Sequence, residues 1–363
     1  MSDPAPKQRE LPSPPDDAIS SIDFSPTSSR LLVSSWDSNV HLYDTSGAGS
    51  KIASFTHPSP VLSCCFGRDD NEMFSACLDW SVNHLDPATG TIRTLYTHTS
   101  GVSSLLFSTA HNLLISGSWD GSLSLLPVTS STPTPTTLRL PTKIHSLSTS
   151  THHLIVALSN RLFHLYDLRH FVPGNPSSLA PTQTRESSLK FMTRTIACMP
   201  PYPNRDPSLD GYACSSIEGR IAVEFYDPSP ETQARKYAFK CHRQVEKQPS
   251  SESSPPVAEE EVDVVYPVNA LTFHPIIPSL FASGGGDGIV SLWDGEKKRR
   301  IRNLPRYRAS VAALAWSRDG KRLVVATSGG FEGGDQEGEC SRESVGVWVR
   351  EMEDELKPKG KGK

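Results

Sequence analysis

The sequence lacks most of what a membrane protein, a secreted protein or a common hydrolase would need. No apolar run comes near the roughly 18 residues required by a membrane-spanning helix. Met1–Glu10 holds no apolar signal core. The 7 cysteines are odd in number and scattered, with Cys64 and Cys65 adjacent and no CxxC or CxxH pair. That pattern argues against a disulfide framework and predicts reduced, mostly buried thiols in a cytosolic or nuclear chain. Charge of one sign is lacking too: 36 Lys and Arg stand against 40 Asp and Glu, a net −4. Overall electrostatics therefore does not predict a nucleic-acid binder. No phosphate-loop, zinc-protease, nucleophile-elbow or calcium-loop motif occurs. Gly284-Gly-Gly-Asp-Gly288 has the glycines of a phosphate loop, but strand patterns flank it and it reads as a hairpin turn. His152-His153 has no spaced third ligand for a metal. The expectation is a soluble, non-catalytic chain without cofactor or metal.

Turn residues are plentiful instead, with 30 Pro and 24 Gly in 363 residues, and the chain repeats itself. Ile22–Pro26, Leu31–Asp37 and Val40–Asp44 form one unit, and Leu62–Phe66, Met73–Trp80 and Val82–Asp86 form the next. Asp44, Asp86, Pro127 and Asp167 close successive units 42, 41 and 40 residues apart. Three longer units follow, ending at Asp227, Asp294 and Val349. Every segment is short, alternating, β-branched or aromatic, and bounded by Gly, Asp, Ser or Pro, which is the strand pattern. The period is that of WD40 repeats, and seven units predict an all-β, seven-bladed β-propeller. Such a ring must close, and Gln8–Leu11 is the expected extra strand of the last blade. His57 and His98, each four residues before a unit's first valine, are expected to be structural.

The domain reading is a flexible stretch 1–6, a propeller over 7–351 and a flexible basic tail 352–363. Within the propeller, 247–261 reads as a disordered acidic loop and 328–344 as a Gly- and Glu-rich insert in blade seven.

Propellers bind through loops that are free to vary. Arg194 is expected just before the inner strand of blade five, and Glu218-Gly219-Arg220 in a turn of the same blade. Lys240 and Arg243 are expected on its outer strand, Lys236–Arg243. This cluster is either solvated surface charge or a site for phosphate or carboxylates. Trp36, Trp80 and Trp119 fall in second-to-third-strand turns, as blade packing or as anchors for a partner peptide.

Several stretches resemble one family closely. Glu186-Ser-Ser-Leu-Lys190, Ser215-Ser-Ile-Glu-Gly-Arg-Ile-Ala-Val-Glu224, Asp227-Pro-Ser-Pro230, Lys236-Tyr-Ala-Phe-Lys-Cys-His-Arg243 and Tyr266-Pro-Val-Asn269 are similar to the kinetochore checkpoint propellers of the "budding uninhibited by benzimidazole" class. The mRNA-export propeller of the nuclear pore, which binds a nucleoporin GLEBS motif, is a sister family sharing two of these elements. The resemblance covers nearly the whole propeller. It implies a monomeric adaptor in hetero-complexes, in the nucleus and at the mitotic kinetochore. Its implied partners are GLEBS motifs of the checkpoint kinase and its pseudokinase-like relative, and phosphorylated Met-Glu-Leu-Thr repeats of a kinetochore scaffold. By residue match, Arg220 and Lys240 would grip the phosphothreonine and Arg194 the GLEBS glutamates, with Trp36 and Trp119 as further GLEBS contacts. The loop 247–261 is longer than expected for the family, and its carboxylates would compete for the same cations. A sugar-cleaving propeller or a ubiquitin-ligase substrate receptor are the other readings, without supporting residues.

Overall fold

Short alternating segments separated by tight turns leave each unit one way to satisfy its backbone: as a small antiparallel sheet with two apolar faces. The computed structural model describes residues 7–128, 134–202, 206–248, 260–329, 341–353 and 355–356. It contains seven four-stranded antiparallel sheets, six of them running inner to outer in chain order and the seventh completed by the first strand of the chain, and one two-stranded sheet. The inner strands are Ile19–Phe24, Val61–Phe66, Val102–Ser108, Ile144–Thr149, Thr193–Cys198, Val268–Phe273 and Val311–Trp316. Each packs on the next, and that of blade one packs on that of blade seven, closing the ring.

The core lies between the blades. Val223 and Phe225 of blade five, for example, meet Phe273, Phe281 and Trp293 of blade six. Each fully buried ring of this kind contributes about 2–3 kcal/mol. Closure is made by Gln8–Glu10, which pairs antiparallel with Gly346–Glu351. Leu11 donates its N–H to the Val347 carbonyl at 2.7 Å, and its side chain is buried between blades one and seven. Blade seven thereby gains its fourth strand, which covers the edge of Gly346–Glu351.

Buried histidines fasten blade to blade. Nε2 of His57 lies 2.8 Å from Ser75 Oγ, and Nε2 of His98 lies 2.8 Å from Ser116 Oγ. A third, His242, is placed between Ser283 Oγ and Asp287 Oδ1, both at 2.9 Å. The six described cysteines are all free and buried.

The structure departs from the sequence reading in three places. The outer strand of blade five is Tyr237–Lys240 only. It stops because His242 adopts a left-handed φ of 47° on its way to Ser283 and Asp287. Arg243 therefore does not lie on that strand but opens a separate hairpin, Arg243–Gln248 against Glu260–Val265. That hairpin takes in both ends of the stretch read as a disordered loop at 247–261, while 249–259 lies outside the described residues. The flexible tail does not begin at 352: Met352 is fully buried in the last inter-blade core, and Glu355 accepts from Arg350 at 2.6 Å. The stretches 1–6, 330–340 and 357–363 lie outside the described residues, and Arg342–Ser344 forms a 3-10 turn.

Candidate peptide-binding face

The seven inner strands share one irregularity. Each shifts register after its first residue, which leaves the second unpaired in a bulge. The residues at that level of the ring are Ser20, Leu62, Ser103, His145, Arg194, Asn269 and Ala312. Arg194 thus sits inside the strand Thr193–Cys198, at the bulge, and not before it as the sequence predicted. Its Nε donates to Asn269 Oδ1 of blade six at 3.0 Å, and Asn269 in turn donates to Ser310 Oγ. Burial lowers the His145 pKa, and the neighbouring Arg194 and Lys143 lower it further. Arg194 is the only permanent charge at this level.

Arg220 and Lys240 come together as read. Arg220 opens the third strand of blade five, Lys240 ends the outer strand, and the two are direct cross-strand partners. Like charges placed opposite each other repel. Arg220 Nε lies 3.2 Å from Glu218 Oε1 but makes no aligned hydrogen bond. Lys240 makes no ion pair among the described residues. Glycine is required in the intervening turn. Gly219 has φ +62°, and a Cβ there would lie 2.6 Å from the Cys241 carbonyl oxygen. Arg243 supports the turn from below, with Nη2 donating to the Glu218 carbonyl at 2.9 Å and Nη1 paired to Asp263 at 3.1 Å.

The tryptophans lie on other blades. Trp36 and Trp119 occupy the corresponding turns of blades one and three, so they do not join the blade-five cluster. Trp119 is partly buried over Gly101, where an added Cβ would come within 2.8 Å of the ring. Trp36 and Trp80 are 37% and 50% exposed. The aspartates that follow Trp36 and Trp119 do structural work. Asp37 accepts from the Asp16 N–H at 3.1 Å and pairs with His41 at 2.9 Å. Asp120 accepts from the Thr99 N–H and hydroxyl at 2.8 and 2.6 Å. Burial pushes both carboxyls up, but these hydrogen bonds prevail, holding Asp37 down to about 2 and Asp120 well below the usual range.

The charge pattern alone misses an apolar component. Phe191 and Met192, just before Thr193, are 51% and 41% exposed, and Ile217 in the neighbouring turn is 40% exposed. The Ile217 N–H bonds the Met192 carbonyl, so these exposed groups share one surface with Arg194 and Arg220. The signal in the sequence is an apolar pair, Phe191-Met192, set between Lys190 and Arg194.

The ring of four-stranded blades defines a WD40 β-propeller, and the "WD domain, G-beta repeat" family model matches residues 6–44 and 90–125. The chain is 42% identical to "Mitotic checkpoint protein BUB3.1" of Arabidopsis thaliana, over 97% of this chain and 95% of that protein. It is 34% identical to "Spindle assembly checkpoint protein bub3" of Schizosaccharomyces pombe, over 86% and 88%. It is also 32% identical to the "Poly(A)+ RNA export protein" of the same yeast, over 89% and 84%. The chain belongs to the BUB3 family of mitotic checkpoint WD40 propellers, which are generally non-catalytic scaffold proteins.

Proposed function

We propose that the blade-five face reads phosphorylated Met-Glu-Leu-Thr repeats of a kinetochore scaffold, with Arg220 and Lys240 holding the phosphate. On the same reading Arg194, with Trp36 and Trp119 around the ring, holds GLEBS segments of the checkpoint kinase and its pseudokinase-like relative. The protein then acts in the nucleus and, in mitosis, at kinetochores. The observation that supports this reading is the cross-strand pair itself. Two cations face each other across a ladder, one of them without a carboxylate partner among the described residues, where like charges repel unless an anion lies between them. A phosphothreonine carries about −1.5 to −2 charges and three acceptor oxygens, which suits that gap. The exposed Phe191, Met192 and Ile217 offer apolar contacts to the side chains flanking the phosphate.

Calorimetric titration with a Met-Glu-Leu-phosphothreonine peptide and its unphosphorylated twin, with and without a bound GLEBS peptide, tests this. Binding of the phosphorylated form only, lost in Arg220→Ala with unchanged melting temperature, is the expected result. If neither Met-Glu-Leu-Thr peptide binds while a GLEBS peptide still does, the phosphate-reading role is wrong and the function lies with the RNA-export relative.

A further inference from the structure

Six of the seven blades end in an outer strand of mixed composition, such as Ser50–Thr56, Ile92–Thr97 and Thr136–Arg139. Blade six does not. Its outer strand, Arg299–Asn303, has three arginines in five residues. It lies within Lys297–Arg308, which carries seven cations and no carboxylate. The net charge of −4 hides this run. It climbs the whole outer edge of the blade, from the turn after Asp294 to the loop before Val311. Some of the charge is matched nearby: Lys297 pairs with Asp294 at 3.2 Å, and Arg302 lies 3.6 Å from Glu355. Lys298 and Arg300 lie over the rings of Tyr237 and Trp293. Arg300, Arg306 and Arg308 are exposed and make no ion pair among the described residues, while the exposed Arg299 stands opposite Asp294 across the ladder.

Apolar groups lie beside these cations. A groove along the strand is lined by Ile277, Pro278, Ile301, Leu356, Arg299 and Arg302, with the carboxylates Asp294, Glu296 and Glu355 also on its wall beside Lys297. Ile276, Ile277 and Ile301 are 58%, 38% and 44% exposed. The strand is paired only on its inner side, with Val290–Asp294, so its other backbone edge is open.

We propose that this edge is a second binding surface, which takes an extended acidic peptide as an added strand. The open backbone offers hydrogen bonds, Arg299 and Arg302 offer partners for carboxylates on the groove side, and Ile301 with Ile277 offers contact to an apolar residue between them. A single-stranded nucleic acid fits less well. It gains most from exposed aromatic rings on which bases stack, and Trp293 and Tyr237 lie beneath Arg300 and Lys298 instead.

A fluorescein-labelled ten-residue peptide of alternating Glu and Leu, titrated by anisotropy, is the probe. The expected result is saturable binding that weakens at least tenfold in Arg299→Glu/Arg300→Glu. It should also weaken at least tenfold when alternate peptide nitrogens are methylated, and stay unchanged in Arg220→Ala. Circular dichroism melting of the double variant should stay within a few degrees of the parent, since both residues are exposed and the new Glu opposite Asp294 costs little at the surface. Equal binding of the methylated peptide would overturn strand addition. Equal binding by the double variant would overturn the site. Tighter binding of a (dT)20 oligonucleotide, lost in the double variant, would make the edge a nucleic-acid surface and refute the peptide reading.

Discussion

Blades five and six use the same turn for opposite ends. Asp287-Gly288 of blade six and Glu218-Gly219 of blade five occupy equivalent positions, and both glycines have positive φ, 72° and 62°. In blade six the turn is fastened. Asp287 holds His242, His242 holds Ser283, and Trp293 Nε1 donates to the same Ser283 hydroxyl at 2.8 Å. In blade five the register puts Cys214 where Ser283 stands and Glu224 where Trp293 stands. Glu224 is buried and accepts from Ser188 Oγ at 2.7 Å and Tyr212 Oη at 2.8 Å. The polar fastening has moved down the blade. Glu218 is left facing Arg220, and the turn is free to carry cations. A repeated scaffold thus keeps this fastening at the blade-six turn and gives it up at the blade-five turn, where the proposed phosphate site lies.

The largest expected effect breaks the fastened turn. Asp287→Ala leaves His242, whose side chain is 1% exposed, without its carboxylate. Loss of one partner from a buried pair of this kind costs about 3 kcal/mol. Glu218→Ala, at the equivalent position, removes a contact outside hydrogen-bond alignment and is expected to cost under about 1 kcal/mol. Urea unfolding of the two variants checks the contrast; equal losses would mean that blade five is fastened at its turn as well.

The fold was legible because its signal repeats. Seven alternating units, the first four at a period near 41, leave little room for another architecture, and the unpaired edge of the last blade calls for Gln8–Leu11. Arg220 and Lys240 were legible for the same reason, since a turn and a strand end of one blade must be neighbours. The errors fall where one residue overrides a pattern. Lys236–Arg243 alternates like a single strand, but His242 is drawn into the blade-six network, and that ends the strand before Arg243. Arg194 was misplaced by one register step because a bulge leaves no mark in composition. The burial of Glu355 goes with its bonds to Arg350, whose role in fastening this segment cannot be seen in a charged tail.

A smaller effect separates the turns by pH. The Asp37 carboxyl is only 8% exposed and titrates at about 2, below its ordinary 3.8. A depressed carboxyl stabilises the fold above the unfolded pKa, and that stability is lost as pH falls from about 4 through 2. At about 1.4 kcal/mol per pH unit the contribution is about 2 kcal/mol. Asp37→Asn should flatten the acid limb of stability against pH by that amount, read by urea midpoints between pH 2.5 and 6. A limb unchanged in the variant would assign acid sensitivity to the other turns.

The smallest effect has the opposite sign and bears most directly on what blade five is for. Lys240 faces Arg220 across the ladder, and like charges in that position cost some tenths of a kcal/mol. Lys240 makes no compensating ion pair among the described residues. Lys240→Gln should therefore raise the stability of the free protein by about 0.5 kcal/mol, in the same urea experiment, while abolishing the proposed phosphopeptide binding. Addition of millimolar phosphate should stabilise the parent more than the variant, because the anion relieves a repulsion that only the parent has. A variant less stable than the parent would mean that Lys240 holds the blade together, and the pair would then belong with the fastened turn of blade six rather than with an open site.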